Sequence, residues 1–91
     1  MRVFVVDDQA LMRRGLQLML STETGIEVSG EAADGVEALV RIALDPPDVV
    51  LTDARMPRMD GVALVRALAE KHPGVPAVVL TTFDDEELVR D

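Results

Sequence analysis

Four short apolar runs alternate with helical patterns along this 91-residue chain, and that order constrains the fold more than any other feature. Val3-Phe4-Val5-Val6 is rich in β-branched residues and reads as a strand buried on both faces. Residues 9–21 then place Met12, Leu16, Met19 and Leu20 at helical spacing, with the two methionines as core filler. Gly25 breaks the chain, and Ile26, Val28 and Gly30 alternate with polar neighbours. Such a strand has one wet side and belongs at a sheet edge. Asp34-Gly35-Val36-Glu37 opens a helix with Asp as N-cap and Glu three residues on, and its apolar face reads as Val36, Leu39, Val40 and Ala43. Val49-Val50-Leu51-Thr52 is a second doubly buried strand, ending at Asp53. After a loop over residues 54–59, Asp60 caps a helix with Leu64, Val65 and Leu68 inside, and His72-Pro73-Gly74 ends it. Residues 75–80 form a further apolar strand, Thr81-Thr82-Phe83 turn, and residues 84–90 start a helix with an acidic first turn.

The order is therefore β-α-β-α-β-α-β-α, which implies parallel strands with right-handed crossovers and helices on both faces. One α/β domain over residues 1–91 follows, cut short at its C-terminal end. Hydrophobic residues make up 48% of the chain, enough for a core. Nine basic residues against 17 acidic leave a net charge of −8, which repels phosphate backbones and makes this segment a poor nucleic-acid binder. The absence of cysteine excludes disulfides and thiolate metal sites and fits a reducing cytosol. No apolar run reaches the roughly 18–20 residues of a membrane helix.

The chemistry concentrates at strand ends, where ligands bind in open α/β sheets. The first strand ends in Asp7-Asp8, the third in Asp53 and the fourth in Thr81-Thr82, either of which could bring a hydroxyl alongside. If the first and third strands are neighbours, three carboxylates meet. Two carboxylates about 5 Å apart at an effective dielectric of 20 repel by roughly 3 kcal/mol, so either a proton or a cation must join them. A few hard oxygen ligands open to solvent suit Mg²⁺, which accepts phosphate as a co-ligand. A carboxylate beside Mg²⁺ can take a phosphoryl group and become an aspartyl phosphate.

VFVVDDQ, VVLTDARMPRMDG and VVLTTF together resemble the receiver domain of bacterial two-component response regulators. The helix DDQALMRRGLQLML and the segment LTTFDDEELV resemble the subfamily carrying a helix-turn-helix, DNA-binding output domain downstream, the NarL/FixJ or LuxR type. The resemblance runs over the whole chain and covers the first three-quarters of such a domain. It implies a flavodoxin-like, doubly wound sheet of order 2-1-3-4, with the family's fifth strand missing. It implies Asp53 as phosphoacceptor, with Asp8, Asp53 and the Arg55 backbone carbonyl as direct Mg²⁺ ligands and Asp7 acting through water. Thr81 would contact the phosphoryl group and shift on activation. The function implied is a cytoplasmic switch in a phosphorelay, not an enzyme with a separate substrate, although it assists its own phosphotransfer and dephosphorylation. Its partners would be a sensor histidine kinase, a second copy of itself on activation or through the exposed fourth strand, and DNA only through the output domain. The family's lysine and aromatic residue on the fifth strand have no counterpart here, because Lys71, the sole lysine, precedes the fourth strand.

Two other classes fit less well. A pure interaction module has no need of three mutually repelling carboxylates. A flavin carrier wants aromatic stacking residues, yet Trp and Tyr are absent, and a Mg²⁺-dependent phosphatase wants an acid where Arg55 stands. Arg13 and Arg14 read as a solvated helix face, open to a kinase, and His72 reads as a cap. Without a fifth strand the fourth becomes an apolar edge, so the chain alone should be unstable or self-associate.

Overall fold

The computed structural model describes residues 1–80. It contains β1 (Arg2–Val6), α1 (Ala10–Ser21), β2 (Glu27–Ala32), α2 (Gly35–Leu44), β3 (Val49–Asp53), α3 (Gly61–Lys71) and β4 (Ala77–Leu80). The four strands form one parallel sheet of order β2-β1-β3-β4, the order expected from the resemblance. β1, β2 and β3 are each followed by a crossover, and in the resulting order β1 lies inside the sheet and β2 at an edge, as its alternating pattern requires.

Alternation along β1 divides the interior. Phe4 and Val6 join Ala32 and Val50 in a core closed by Ala38 and Ile42 of α2 and by Leu64 and Leu68 of α3. Val3 and Val5, also buried, point to the opposite face, where α1 packs against β1 and β2. β1 is thus buried on both sides. β3 alternates between half-buried and buried residues, and β4 between half-buried and exposed ones. The reading of β3 as a doubly buried strand is corrected accordingly: among the described residues only α1 lies on that second face, and it reaches β1 and β2.

Two helices sit differently from their sequence patterns. In α2 the residues turned inward are Gly35, Ala38 and Ile42, whereas Val36, Val40 and Ala43 are exposed. Both stripes are apolar and adjoin through Leu39, so periodicity alone leaves the rotation of this helix open by about one residue. In α1 the half-buried residues are Gly15 together with Arg13, Leu16, Gln17 and Leu20, and the last four stand at the i, i+3, i+4, i+7 positions of one face. Met12 and Met19 are not core filler. They are 42% and 67% exposed, because that face turns away from the sheet. Arg13 is likewise not on a solvated face: its Nε donates to Glu31 Oε1 at 2.7 Å, and Nη1 donates to the Asp7 carbonyl at 2.6 Å.

The local punctuation matches the reading. Gly25 has φ of 85°, in the left-handed region that a glycine adopts freely. Asp34 caps α2 by accepting from the Glu37 N–H, Asp60 caps α3 by accepting from the Ala63 N–H, and His72 stands at the C-cap of α3. No helix among the described residues is long and apolar enough to cross a membrane.

Candidate functional site

The site is built by strand register. β1 and β3 pair in parallel with Val6 opposite Thr52, so Asp7 and Asp53 leave adjacent strands at the same level. Asp8 follows directly. One carboxylate oxygen from each of Asp7, Asp8 and Asp53 lies within 4.8 Å of the others. The expectation that acidic residues far apart in the chain converge is therefore met in the geometry. Of the three, Asp7 is buried, Asp53 half-buried and Asp8 exposed, so the cluster opens to solvent on one side.

Asp7 and the Asp53 backbone are held by their surroundings. The Asp7 N–H donates to the Ala32 carbonyl at 3.1 Å, and its Oδ1 accepts from the Gln9 N–H at 2.9 Å, which shapes the turn into α1. Arg13 reaches over from α1 to the Asp7 carbonyl. At β3 the buried Thr52 hydroxyl donates to the Asp53 carbonyl at 3.0 Å. Gly61 then explains the start of α3. A Cβ there would stand 2.2 Å from the Asp53 carbonyl oxygen, so only glycine lets the helix start press against the end of β3. The Gly61 N–H donates to the Ala54 carbonyl at 3.0 Å, closing the loop over residues 54–60.

The electrostatics favour a cation. Burial pushes the Asp7 carboxyl above its ordinary value, the neighbouring Asp8 pushes the same way, and the Gln9 N–H opposes both. Three oxygens of hard, ionisable ligands, grouped closely and partly open, fit a small divalent ion such as Mg²⁺. Arg55 lies two residues past Asp53 in the exposed part of the loop. Thr81 and Thr82, and the helix expected over residues 84–90, lie outside the described residues.

Sequence reasoning missed a second polar cluster beside the first. Arg58 of the 54–60 loop pairs with Asp34 at the start of α2. Its Nε donates to Asp34 Oδ2 at 2.8 Å, and Nη2 donates to the same oxygen. The Asp-Gly pair at both helix starts was a visible signal for tight loop–helix packing. The ion pair itself left no trace in spacing or periodicity.

Comparison with known proteins gives this arrangement a setting. The family model described as the response regulator receiver domain matches residues 3–91. The uncharacterised transcriptional regulatory protein YhcZ of Bacillus subtilis is 40% identical over 89 residues, spanning 98% of this chain and 42% of that protein. A protein-glutamate methylesterase/protein-glutamine glutaminase of Geobacter metallireducens is 48% identical over 88 residues, spanning 96% of this chain and 25% of that protein. The chain thus spans less than half the length of these relatives. Among solved structures, the signal receiver domain of the response regulator NarL from Mycobacterium tuberculosis superposes with a TM-score of 0.87 at 37% identity, covering 98% of this chain and 72% of that one.

Proposed function

This chain belongs to the response regulator receiver domain family, and from that premise we propose that it is a phosphorylation-dependent switch in which Asp53 is the phosphoacceptor. One observation carries the reading: the carboxylates of Asp7, Asp8 and Asp53 lie within 4.8 Å of one another at the carboxyl ends of β1 and β3. Asp8, Asp53 and the Arg55 carbonyl would hold Mg²⁺ directly and Asp7 through water. Bound there, the ion offsets the negative charge that gathers when a phosphoryl group meets a carboxylate.

The donor is the phosphohistidine of a sensor histidine kinase. A carboxylate oxygen of Asp53 forms the new O–P bond as the P–N bond breaks, and the departing imidazole nitrogen keeps the electron pair and takes a proton from solvent. The domain assists this step and the later hydrolysis by positioning, without turning over a separate substrate. Thr81 supplies the hydroxyl that contacts the phosphoryl group. Phosphorylation shifts the population towards a form that pairs with a second copy or releases an output domain. Operation in the cytoplasm fits a chain with no cysteine. A DNA-binding output rests on the resemblance of the first helix and of the LTTFDDEELV segment to the helix-turn-helix subfamily. YhcZ and the methylesterase differ in output, so the receiver region alone is common ground.

The test is incubation of the full chain with acetyl phosphate and Mg²⁺, read by intact mass. A gain of one phosphate that disappears with Asp53→Asn and with chelation of the ion is expected. A gain that survives Asp53→Asn removes the proposal.

A further inference from the structure

The Arg58–Asp34 pair has no role in the chemistry above, yet its geometry ties the phosphoacceptor loop to a distant helix. Arg58 has φ of 65°, and it is the only residue other than glycine with positive φ among the described residues. A side chain at that angle is strained, where glycine would not be. The strain belongs to a tight three-residue turn in which the Met59 N–H donates to the Pro57 carbonyl at 2.8 Å. Something must hold the loop in this shape, and the restraints next to Arg58 lead to α2. Arg58 donates twice to Asp34 Oδ2, while Asp34 Oδ1 accepts from the Glu37 N–H at 2.9 Å and caps the helix. One carboxylate thus serves the loop with one oxygen and the helix with the other. Next to it the Gly35 N–H donates to the Met59 carbonyl at 3.0 Å. Gly35 also leaves room for Met59, whose Cγ would lie 2.6 Å from a Cβ placed there.

The loop so anchored starts at Ala54, one residue after Asp53, and its two ends are joined by the Gly61-to-Ala54 hydrogen bond. A shift at Arg58 is therefore passed to both ends of a short closed loop. We infer that Arg58 is a positioning residue for the acidic site: by pairing with Asp34 it fastens the 54–60 loop to the start of α2 and so sets the placement of Asp53 and Arg55. The inference rests on the proposed function for the meaning of that placement. It predicts that releasing the pair loosens the site while the fold persists.

The variants are chosen so that stability and site separate. Arg58→Gly removes the guanidinium and relieves the strained angle, so thermal stability holds or rises. Asp34→Asn keeps an oxygen for the helix cap and deletes the charge. In the full chain, Mg²⁺ alone is titrated by calorimetry and phosphorylation by acetyl phosphate is followed in time. Both variants should weaken Mg²⁺ binding about two- to fivefold, the range of a partly exposed ion pair, and slow phosphorylation in step. The double variant should add little to either one, because both remove the same contact. Arg58→Lys should recover part of the loss. Affinity and rate equal to the parent protein in both variants would overturn the inference and leave Asp53 as phosphoacceptor untouched. So would a loss that tracks melting temperature alone. A parent protein that neither binds Mg²⁺ nor gains phosphate defeats the functional reading and this inference together.

Discussion

Asp7 and Asp34 stand just past the ends of the neighbouring strands β1 and β2, and solvent reaches them almost equally little, at 6% and 5% exposure. Their surroundings drive them in opposite directions. Burial dominates at Asp7, with Asp8 adding repulsion, and its carboxyl is held above the ordinary range. At Asp34 the Glu37 N–H and then the Arg58 guanidinium outweigh burial, and its carboxyl is held below that range. The same side chain is thus either a standing electrostatic cost or a fastening, depending on whether donors converge on it. The costly arrangement lies where a cation would be received, and the satisfied one lies where the loop must not move.

The comparison can be broken most forcefully at Gly35. Alanine there would set a methyl group 2.6 Å from Met59 Cγ and 2.7 Å from the Met59 carbonyl oxygen, inside a corner already closed by hydrogen bonds. We expect Gly35→Ala to lower stability by about 2–3 kcal/mol in denaturant unfolding, as for overpacking generally. A loss within a few tenths would mean that the Asp34 corner yields freely and fastens nothing.

A smaller effect of opposite sign is expected at Asp7. Asp7→Asn keeps an acceptor for the Gln9 N–H and deletes one of three clustered charges. With divalent cations chelated, this variant should be more stable by about 1 kcal/mol, less than the bare repulsion because Asp8 is exposed and screened. Asp34→Asn under the same conditions should be less stable than the parent. Shifts of the same sign in both variants would erase the distinction between the two aspartates.

The smallest effect is the dependence on pH. A group with a lowered folded-state value stabilises the fold above its unfolded value and loses that contribution as pH falls through the lowered one. Asp34 is of this kind, as are Glu31, lowered by Arg13, and Asp45, lowered by Arg2. Asp7 is the reverse: its penalty is present at neutral pH and is relieved as pH falls through its raised value. Melting temperature measured without divalent cations should therefore rise slightly on mild acidification and then drop through and below the ordinary carboxylate range. The rise should vanish in Asp7→Asn, and the final drop should shrink in Asp34→Asn.

Much of this was legible in the chain. The strand runs, the edge character of β2, the caps Asp34 and Asp60 and the break at Gly25 all follow from contacts among residues a few positions apart. The convergence of Asp7, Asp8 and Asp53 followed once β1 and β3 were taken as neighbours, which the resemblance supplied. The rotation of α2 did not follow, because Ile42 and Val40 are both apolar and the choice between them rests on packing with remote residues, Gly35 against Met59 and Ala38 and Ile42 in the core. The partners of Arg13 and Arg58 did not follow either, since Glu31 and Asp34 lie on other elements, 18 and 24 positions away.

The kinds and order of the elements, their capped ends and the acidic character of the strand termini can be read along the chain, because short-range hydrogen bonding and apolar periodicity are local properties. Which aspartate is balanced and which is not emerges with the folded arrangement. That depends on donors and charges brought from remote segments, and electrostatic free energy is set by distance through space, not by separation along the chain.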